Sequence, residues 1–238
     1  MSSLLVLGST GLVGTEVIKH GQESQAFNRL ITLTRRQPNF ATTTTTTGEE
    51  TKIESVVEPN TSTWPTIIKD LKPGAHAYIS AFGTTRAKAG SSQNFKDIDY
   101  GINYESAKAA KAQGAKVCVL VSAYGASAKS PFLYMKTKGE LEDAIIALKF
   151  PYTIILRPGV LLGERKEAHG FANDWAQKIG GWIQGTWFSP LMQPIDASDV
   201  GKIAIDFAQR GLTDDLRESV LTVSGAELNE LVNDFKVV

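Results

Sequence analysis

The chain alternates short apolar runs with stretches whose apolar residues recur at helical spacing. Runs rich in valine, isoleucine and leucine predict strands over residues 3–7, 30–34, 52–57, 75–82, 116–122 and 152–157. The stretches between them predict helices over 12–20, about 64–71, 94–113 and 131–149. Apolar strands without polar alternation are typical of a parallel sheet covered on both faces. The pattern therefore predicts an α/β fold with a doubly wound parallel sheet.

The regular alternation stops after Pro158. Residues 159–195 are rich in glycine and contain several large aromatic residues: Phe171, Trp175, Trp182, Trp187 and Phe188. These side chains either line an apolar substrate pocket or pack in the core, and the sequence does not decide between the two. We expect a single domain over residues 1–238, in which 159–195 and 211–238 form a small substrate-side cap.

The C-terminal part returns to regular elements. A helix is predicted over 197–210 with Ser198 as its N-cap, followed by a short strand over 221–225 and a last helix over 226–235. By contrast, six consecutive threonines at 42–47 predict a surface loop, to which we assign no chemistry.

The glycines of the first strand–helix turn, Gly8, Gly11 and Gly14, stand at three-residue intervals. The dinucleotide fingerprint has the spacing G-x-G-x-x-G, from which this turn departs. Backbone N–H groups and the positive end of a helix would still face a phosphate. We therefore predict a Rossmann-type nucleotide site, with a tight packing turn as the alternative. Its candidate residues are Gly8, Ser9, Thr10, Gly11, Leu12 and Val13.

Two arginines, Arg35 and Arg36, follow the second strand directly, and no acidic residue stands there. NAD-dependent proteins usually place a carboxylate at this point for the ribose 2′-hydroxyl, whereas arginine accommodates the 2′-phosphate of NADP. An arginine fork can hold a phosphate with two hydrogen bonds. The pair therefore predicts NADP(H) as cofactor, unless both arginines are simply solvated.

The end of the fourth strand is a further candidate for cofactor binding. Phe82, Gly83 and Thr84 stand there, and open α/β sheets bind ligands at the carboxyl ends of their strands. Glycine at such a point lets the backbone approach the ligand closely. Arg86 either reaches a phosphate or points into solvent, and both alternatives stay open.

Tyr134 and Lys138 stand four residues apart in a predicted helix and so share one face. A free phenol has a pKa near ~10 and exchanges protons poorly at neutral pH. A nearby ammonium favours the phenolate, so the spacing suits a proton donor with a tuning lysine. Taken one at a time, the two residues could equally be a half-buried aromatic and a solvated charge.

Composition and charge exclude several function classes. The 238 residues include 25 basic and 25 acidic side chains, so no global field attracts nucleic acid or an acidic membrane. The single cysteine, Cys118, allows no internal disulfide, and three dispersed histidines predict no metal site. No long apolar run predicts a transmembrane helix, and strand sequence from residue 3 leaves no room for a signal or transit peptide.

The motif set resembles the short-chain dehydrogenase/reductase superfamily in its atypical and extended branch. The residues that carry the resemblance are Gly8-x-x-Gly11-x-x-Gly14, Tyr134-x-x-x-Lys138 and Arg157-Pro158-Gly159. The stretches FGTTRAKAG, FLYMKTKGE and LRPGVLLGER are similar to a small subgroup. That subgroup contains a human Tat-interacting tumour-suppressor oxidoreductase and a fungal protein of the mitochondrial outer membrane.

The resemblance implies roles for individual residues. Cofactor contacts are implied at Ser9–Leu12, Arg35, Arg36, Phe82–Gly83, Tyr134, Lys138, Pro158 and Leu161. Ser122 is implied as the third catalytic residue, since it precedes Tyr134 by the subgroup's spacing of twelve residues. Ala123 replaces a second serine of many relatives, and His169 stands where the human protein has a cofactor arginine. Asp99 fills a position where the family often has asparagine, and we assign it no role.

The function predicted from these residues is the NADPH-dependent reduction of a small aldehyde or ketone by Ser122, Tyr134 and Lys138. The cofactor supplies hydride and the protein positions and tunes the proton donor. The alternative is a non-catalytic NADP(H)-binding regulatory protein, because both functions need the same cofactor site. The resemblance also implies peripheral association with the cytosolic face of the mitochondrial outer membrane, as a monomer or homodimer.

Overall fold

The computed structural model of the chain describes residues 2–40, 52–163 and 193–236. Its strands are β1 Ser2–Leu7, β2 Phe27–Thr34, β3 Lys52–Val57, β4 Ala77–Ser80, β5 Val117–Val121, β6 Tyr152–Arg157, β7 Leu161–Leu162, β8 Ile195–Asp196 and β9 Val220–Ser224. Its helices are α1 Leu12–Glu23, α2 Trp64–Asp70, α3 Arg86–Ala89, α4 Ser92–Lys96, α5 Asn103–Ala112, α6 Leu133–Ala147, α7 Ala197–Leu212 and α8 Ala226–Lys236. A 3₁₀ turn spans Thr61–Thr63, and a π-helical segment, Asp97–Ile102, joins α4 to α5.

Within the described ranges, seven strands form one parallel sheet in the order β3-β2-β1-β4-β5-β6-β9. The strand order reverses at β1, which has β2 on one side and β4 on the other. In such sheets ligands bind in the crevice at the carboxyl ends of the strands where the order reverses. The predicted Rossmann-type doubly wound α/β fold is confirmed.

The core has two layers, one on each face of the sheet. Alternate residues of β1 belong to different layers: Leu4 and Val6 face α1 and α7, whereas Leu5 and Leu7 face α2, α5 and α6. All four side chains are at most 1% exposed. Burial on both faces explains why the strands have no polar alternation, since a polar side chain on either face would lose its water contacts without replacement.

Two predicted boundaries are wrong. The strand predicted over 75–82 is only Ala77–Ser80 long, because the residues after it leave the sheet and bond to side chains of the following helix. The residue that flanks α7 at its start is Asp196 and not Ser198, whose hydroxyl lies 3.0 Å from Nε2 of His20.

The helix predicted over 94–113 is present without a break from Ser92 to Ala112, because α4, the π-helical segment and α5 follow one another directly. The π turn, Asp97–Ile102, carries one extra residue per turn and so changes which side chains face the sheet.

The C-terminal strand belongs to the main sheet. β9 pairs in parallel with β6, from Thr153 opposite Val220 to Arg157 opposite Ser224. The expectation that 211–238 belongs to a substrate-side cap is therefore wrong for this strand, which pairs with β6 and buries Val223 against the core.

Parts of the remaining cap lie outside the described residues. Within 159–195, β7 and β8 form a separate two-stranded sheet. The predicted residues that lie outside the described ranges are Thr42–Thr47, His169, Phe171, Trp175, Trp182, Trp187 and Phe188. The single-domain arrangement with a cap stays a prediction.

Candidate functional site

The turn after β1 brings two loops into direct contact. Gly8 has a φ of +81°, in the region that favours glycine. A Cβ on Gly8 would lie 2.6 Å from the carbonyl of Ala81 and from the backbone nitrogen of Phe82, so no side chain fits there. The N–H of Gly11 donates to the carbonyl oxygen of Gly8 at 2.8 Å and closes the turn. The predicted glycine turn therefore lies against the loop after β4.

The start of α1 is open to a ligand. Gly11 is the N-cap, and no side chain caps the first turn. Thr10 and Gly11 are exposed, while Ser9 is fully buried and its hydroxyl has no hydrogen-bond partner among the described residues. Uncapped helix N–H groups together with the positive end of the helix dipole suit a diphosphate. Val13 packs in the core with 5% exposure, so only its backbone can contribute to such a site.

Arg35 and Arg36 are both exposed at the carboxyl end of β2, next to β1 in the sheet. The hydroxyl of Thr34 donates to the carbonyl oxygen of Arg36 at 2.8 Å and stabilises the turn that carries them. Their position suits a 2′-phosphate on a ribose held by the glycine turn. Recognition of NADP through these two residues stays a prediction.

The loop after β4 is held by two buried polar side chains. Asn103 donates to the carbonyl oxygen of Phe82 at 3.2 Å and accepts from the Ser80 hydroxyl at 2.5 Å. Asp99 accepts from the backbone N–H of Thr84 at 2.8 Å. Thus Phe82, Gly83 and Thr84, all predicted to contact the cofactor, lie in a loop with a defined backbone.

Lys138 lies beneath this loop. Its ammonium is 3.0 Å from Oδ1 of Asp99, and the two side chains are 6% and 0% exposed. A Cβ on Gly83 would lie 2.9 Å from that carboxylate oxygen and 3.3 Å from Nζ of Lys138. Glycine at position 83 therefore lets the backbone pass directly over a buried ion pair.

The surroundings of Lys138 keep it charged. Burial lowers the pKa of Lys138, but the charges of Asp99, Tyr134 and Glu142 and a hydrogen bond to Asp99 raise it by more, so the net shift is upward. Tyr134, Lys138 and Glu142 follow one another at intervals of four residues, so they share one face of α6. Tyr134 is 39% exposed, and its ring lies 5.8 Å from that of Phe95. The predicted tyrosine–lysine face is therefore present, with a lysine that is paired and buried.

Ser122 lies at the carboxyl end of β5 and is 7% exposed. Its hydroxyl donates to Oε1 of Glu142, which is 3% exposed. The guanidinium of Arg157, at the end of β6, donates to both oxygens of the same carboxylate at 2.5 to 3.2 Å. The hydrogen bond with Glu142 raises the pKa of Arg157, against a smaller lowering by burial. Ser122 thus belongs to a three-residue network.

The segment after β6 passes close to the glycine turn. The carbonyl oxygen of Pro158 accepts from the N–H of Tyr124 at 2.9 Å, which joins the loops after β5 and β6. Leu161 lies in β7, and a Cβ on Gly163 would be 3.0 Å from Cδ1 of Leu12. Leu161, a predicted cofactor residue, therefore stands two residues before Gly163, which lies against Leu12 at the start of α1.

Four residues of this site received no role from the sequence: Asp99, Asn103, Glu142 and Arg157. The signals that could have found two of them are weak. Glu142 stands four residues after Lys138 on the same helical face, and Arg157 belongs to a motif that was recognised. Asp99 stands where the resembled family often has asparagine and Asn103 looks like an ordinary polar residue, and nothing in the sequence reports the π turn that contains Asp99 and ends before Asn103.

The described ranges were searched for membrane-spanning helices and for clusters of metal ligands. None of their helices is both long and apolar enough to span a bilayer. No group of three or more histidine, cysteine, aspartate or glutamate side chains among the residues described is arranged to hold a metal ion.

Comparisons with known proteins give close relatives over the whole chain and solved structures that are similar in fold. A family model described as HIM1 matches residues 75–179. Protein FMP52, mitochondrial, of Lodderomyces elongisporus is 67% identical over 237 residues, which cover 100% of this chain and 99% of the relative.

Solved structures extend the comparison to the fold. A short chain dehydrogenase family protein from Francisella tularensis superposes with a TM-score of 0.66 at 12% identity, over 96% of this chain and 99% of that chain. The Bordetella bronchiseptica enzyme WbmG in complex with NAD superposes with a TM-score of 0.63 at 15% identity, over 100% and 79% of the two chains. At these identities the likeness shows a shared Rossmann-type fold.

Proposed function

The chain belongs to the FMP52 family, and from that premise we propose that it is an NADPH-dependent oxidoreductase that reduces small aldehydes or ketones. The observation that carries the proposal is the position of the buried Lys138–Asp99 pair. The pair lies directly under Gly83, and Lys138 shares a helical face with Tyr134, at the sheet edge where the glycine turn also lies. A charged lysine beside a half-exposed tyrosine suits proton donation to a substrate oxygen.

Several features support a nicotinamide dinucleotide at this edge. The glycine turn offers uncapped helix N–H groups and the buried hydroxyl of Ser9, which has no partner among the described residues. The Bordetella neighbour binds NAD on the same fold. When bound, the nicotinamide would supply the hydride, and Arg35 and Arg36 would hold the 2′-phosphate of NADP(H).

In the reduction, the side chains of this protein supply the proton and hold the proton donor in place. Tyr134 donates its phenolic proton to the carbonyl oxygen as negative charge develops there. Lys138 stays an ammonium at neutral pH, because its pKa is raised, and it shares one face of α6 with Tyr134. Ser122 is the third member of the predicted set, and its hydroxyl donates to Glu142.

Substituting Tyr134 with phenylalanine tests the proposal most directly. NADPH-dependent turnover of a panel of aldehydes and ketones should fall by about 100-fold, since general acid catalysis contributes at least that much. NADPH affinity is measured alongside, so that lost chemistry is separated from lost cofactor. Tyr152→Phe is the matched control, because it removes a hydroxyl that bonds to Asp214, at the other edge of the sheet. No turnover by the natural sequence, or equal turnover by Tyr134→Phe, would refute the reductase.

Cofactor preference is tested through Arg35. We expect Arg35→Ala to weaken NADPH binding by about 10-fold and NADH binding much less, because a hydrogen bond to a charged group is worth roughly 1.5 kcal/mol or more. The double variant Arg35→Ala/Arg36→Ala should extend the effect. Arg217→Ala removes an equally exposed charge that precedes β9 and so serves as control. Equal affinity of the unmodified chain for NADPH and NADH would contradict the assignment.

A second candidate function is a non-catalytic NADP(H)-binding regulatory protein. The observation that favours it is the hydroxyl of Ser122, which donates its only hydrogen to Glu142 and so has none to donate to a substrate carbonyl. This candidate predicts protein partners whose capture changes with NADPH and with Gly11→Asp, and no turnover. Partners that are indifferent to both changes would contradict it.

We also propose a mitochondrial location, because the 67% identical relative is named as mitochondrial. The resemblance to an outer-membrane protein suggests peripheral attachment at the cytosolic face. Carbonate extraction of purified mitochondria should then release the chain into the supernatant, whereas retention in the pellet would contradict peripheral attachment.

A further inference from the structure

Glu142 is a buried carboxylate that is bound by side chains at the ends of two different strands. It lies in α6 and is 3% exposed. The Ser122 hydroxyl, directly after β5, donates to its Oε1. The guanidinium of Arg157, at the end of β6, donates to both of its oxygens at 2.5 to 3.2 Å. Since β5 and β6 are neighbours in the sheet, these bonds tie α6 to one part of its carboxyl edge.

An ion pair is not needed to hold α6 on the sheet. Leu141 and Ile145 of the same helix already pack in the core and are at most 1% exposed. Replacing a buried ion pair by apolar side chains of similar volume is often neutral or stabilising. A guanidinium that meets a carboxylate with two nitrogens fixes direction as well as distance. The bonds from Arg157 therefore restrict the orientation of α6 in a way that the apolar contacts do not.

The orientation of α6 decides where its candidate proton donor lies. Tyr134 precedes Lys138 by four residues and Glu142 by eight, so all three share one face of the helix. Lys138 has a direct tie of its own, the ion pair with Asp99 at 3.0 Å. Tyr134 is 39% exposed, and its ring lies 5.8 Å from that of Phe95. Among the described residues its hydroxyl has no hydrogen bond, so the position of Tyr134 depends on how the helix is held.

We propose that Glu142 and Arg157 are positioning residues that hold α6, and with it Tyr134, and that Ser122 belongs to this network and not to the substrate contacts. A serine hydroxyl has one hydrogen, and Ser122 donates it to a carboxylate that the guanidinium keeps as an acceptor. Tyr134 alone then supplies the proton in the reduction. The inference rests on the proposed reductase function and assigns roles to two residues outside the predicted catalytic set.

Methionine at positions 142 and 157 separates orientation from stability. Arg157→Met alone leaves the Glu142 carboxylate buried without its guanidinium, so the Tm should fall clearly. Adding Glu142→Met removes that charge at similar volume, and the Tm should return close to that of the natural chain. The directional bonds are still missing. We therefore expect kcat to stay about 10-fold low with an unchanged KM for NADPH, because a small misplacement of a reacting group is costly.

The matched control is Arg29→Met/Glu54→Met. It removes an ion pair of the same two residue types, in which Nε and Nη2 of Arg29 donate to Oε2 of Glu54 at 2.9 and 2.7 Å. That pair joins β2 to β3, away from α6, so kcat should stay at the natural value. Ser122→Ala keeps both bonds from Arg157 and should lower kcat by less than about 10-fold, against about 100-fold for Tyr134→Phe. Equal losses in these two variants would return Ser122 to the substrate contacts.

Fluorine NMR of protein labelled with 3-fluorotyrosine reports on position 134 without turnover. Tyr134→Phe identifies the resonance of Tyr134 among the six tyrosines of the chain. In Glu142→Met/Arg157→Met this resonance should shift or broaden, whereas that of Tyr78, buried in β4, should not change. The control pair of methionines should leave both resonances as they are.

The two readouts decide together. Normal kcat or an unchanged Tyr134 resonance in a stable Glu142→Met/Arg157→Met variant would overturn the inference. Should that variant not fold, Arg157→Lys takes its place under the same criteria, because it keeps the charge but not the planar fork. If the natural chain reduces no aldehyde or ketone, the proposed reductase fails, and the resonance of Tyr134 still shows whether the network positions it.

Discussion

Replacing Gly14 with alanine is expected to abolish nucleotide binding and to destabilise the fold. The added Cβ would lie 2.1 Å from the carbonyl oxygen of Gly8, 2.6 Å from its carbonyl carbon and 2.9 Å from Cα of Ser9. All three are backbone atoms of the turn itself, so no side-chain rotation relieves the overlap. The start of α1 must move away from the turn, which separates the helix N–H groups from the place where the diphosphate would lie.

The measurement is NADPH titration together with thermal unfolding. Affinity should fall at least about 100-fold, which corresponds to about 2.7 kcal/mol of lost binding free energy. Gly101→Ala is the matched control, because a Cβ there meets nothing within 4 Å and the backbone is not left-handed. Normal NADPH affinity in Gly14→Ala would show that the glycine turn is not the nucleotide site.

The second large effect is expected from Asp99→Asn, which leaves the ammonium of Lys138 buried without its carboxylate. The amide can still accept from the N–H of Thr84, but its NH₂ group would face the ammonium, donor against donor. Removing one partner of a buried pair typically costs about 3–5 kcal/mol. We therefore expect the free energy of unfolding to fall by about 3 kcal/mol, measured by urea denaturation at pH 7.

The same substitution should reverse the pH dependence that Lys138 contributes. In the natural chain the pKa of Lys138 is raised above its unfolded value, so its stabilising contribution is complete below ~10.4 and is lost as pH rises through the folded pKa. Without Asp99, burial is the main influence and lowers the folded pKa. The variant then gains stability as pH rises toward ~10.4, so the stability difference between the two proteins should shrink from pH 7 to pH 10.

The double variant Asp99→Asn/Lys138→Met is the control for this pH effect. It removes the unpaired charge and should recover part of the lost stability, with a stability difference from the natural chain that is flat between pH 7 and pH 9. A single variant that is as stable as the natural chain, or whose deficit does not change with pH, would show that the ion pair contributes little.

Sequence alone could predict those parts of the site in which the local backbone conformation or the spacing along the chain requires a particular residue type. Gly8 and Gly14 are examples, since the turn requires a positive φ at one and leaves no space for a Cβ at the other. The Tyr134–Lys138 spacing is another, because a helix repeats every 3.6 residues whatever surrounds it. Arg35 and Arg36 follow β2 in the sequence and so must lie at the carboxyl edge of the sheet.

The partners of the catalytic candidates could not be predicted in that way. Asp99 meets Lys138 because a π turn lies between α4 and α5 and because those elements pack beside α6, and neither has a sequence pattern of its own. Likewise β9 was expected in a cap, since a short run of β-forming residues does not say which strand it will pair with.

By itself, the sequence determined the α/β class, the glycine turn at the first crossover and a helix face with tyrosine and lysine, because these depend on periodicity and on residues adjacent along the chain. Only the tertiary structure decided that the charged Lys138 forms an ion pair with Asp99 and that the Ser122 hydroxyl donates its hydrogen to Glu142. Both contacts join residues from different elements, 39 and 20 positions apart. Their geometry is set by how helices pack on the sheet, and it decides which hydrogen bonds remain for a ligand.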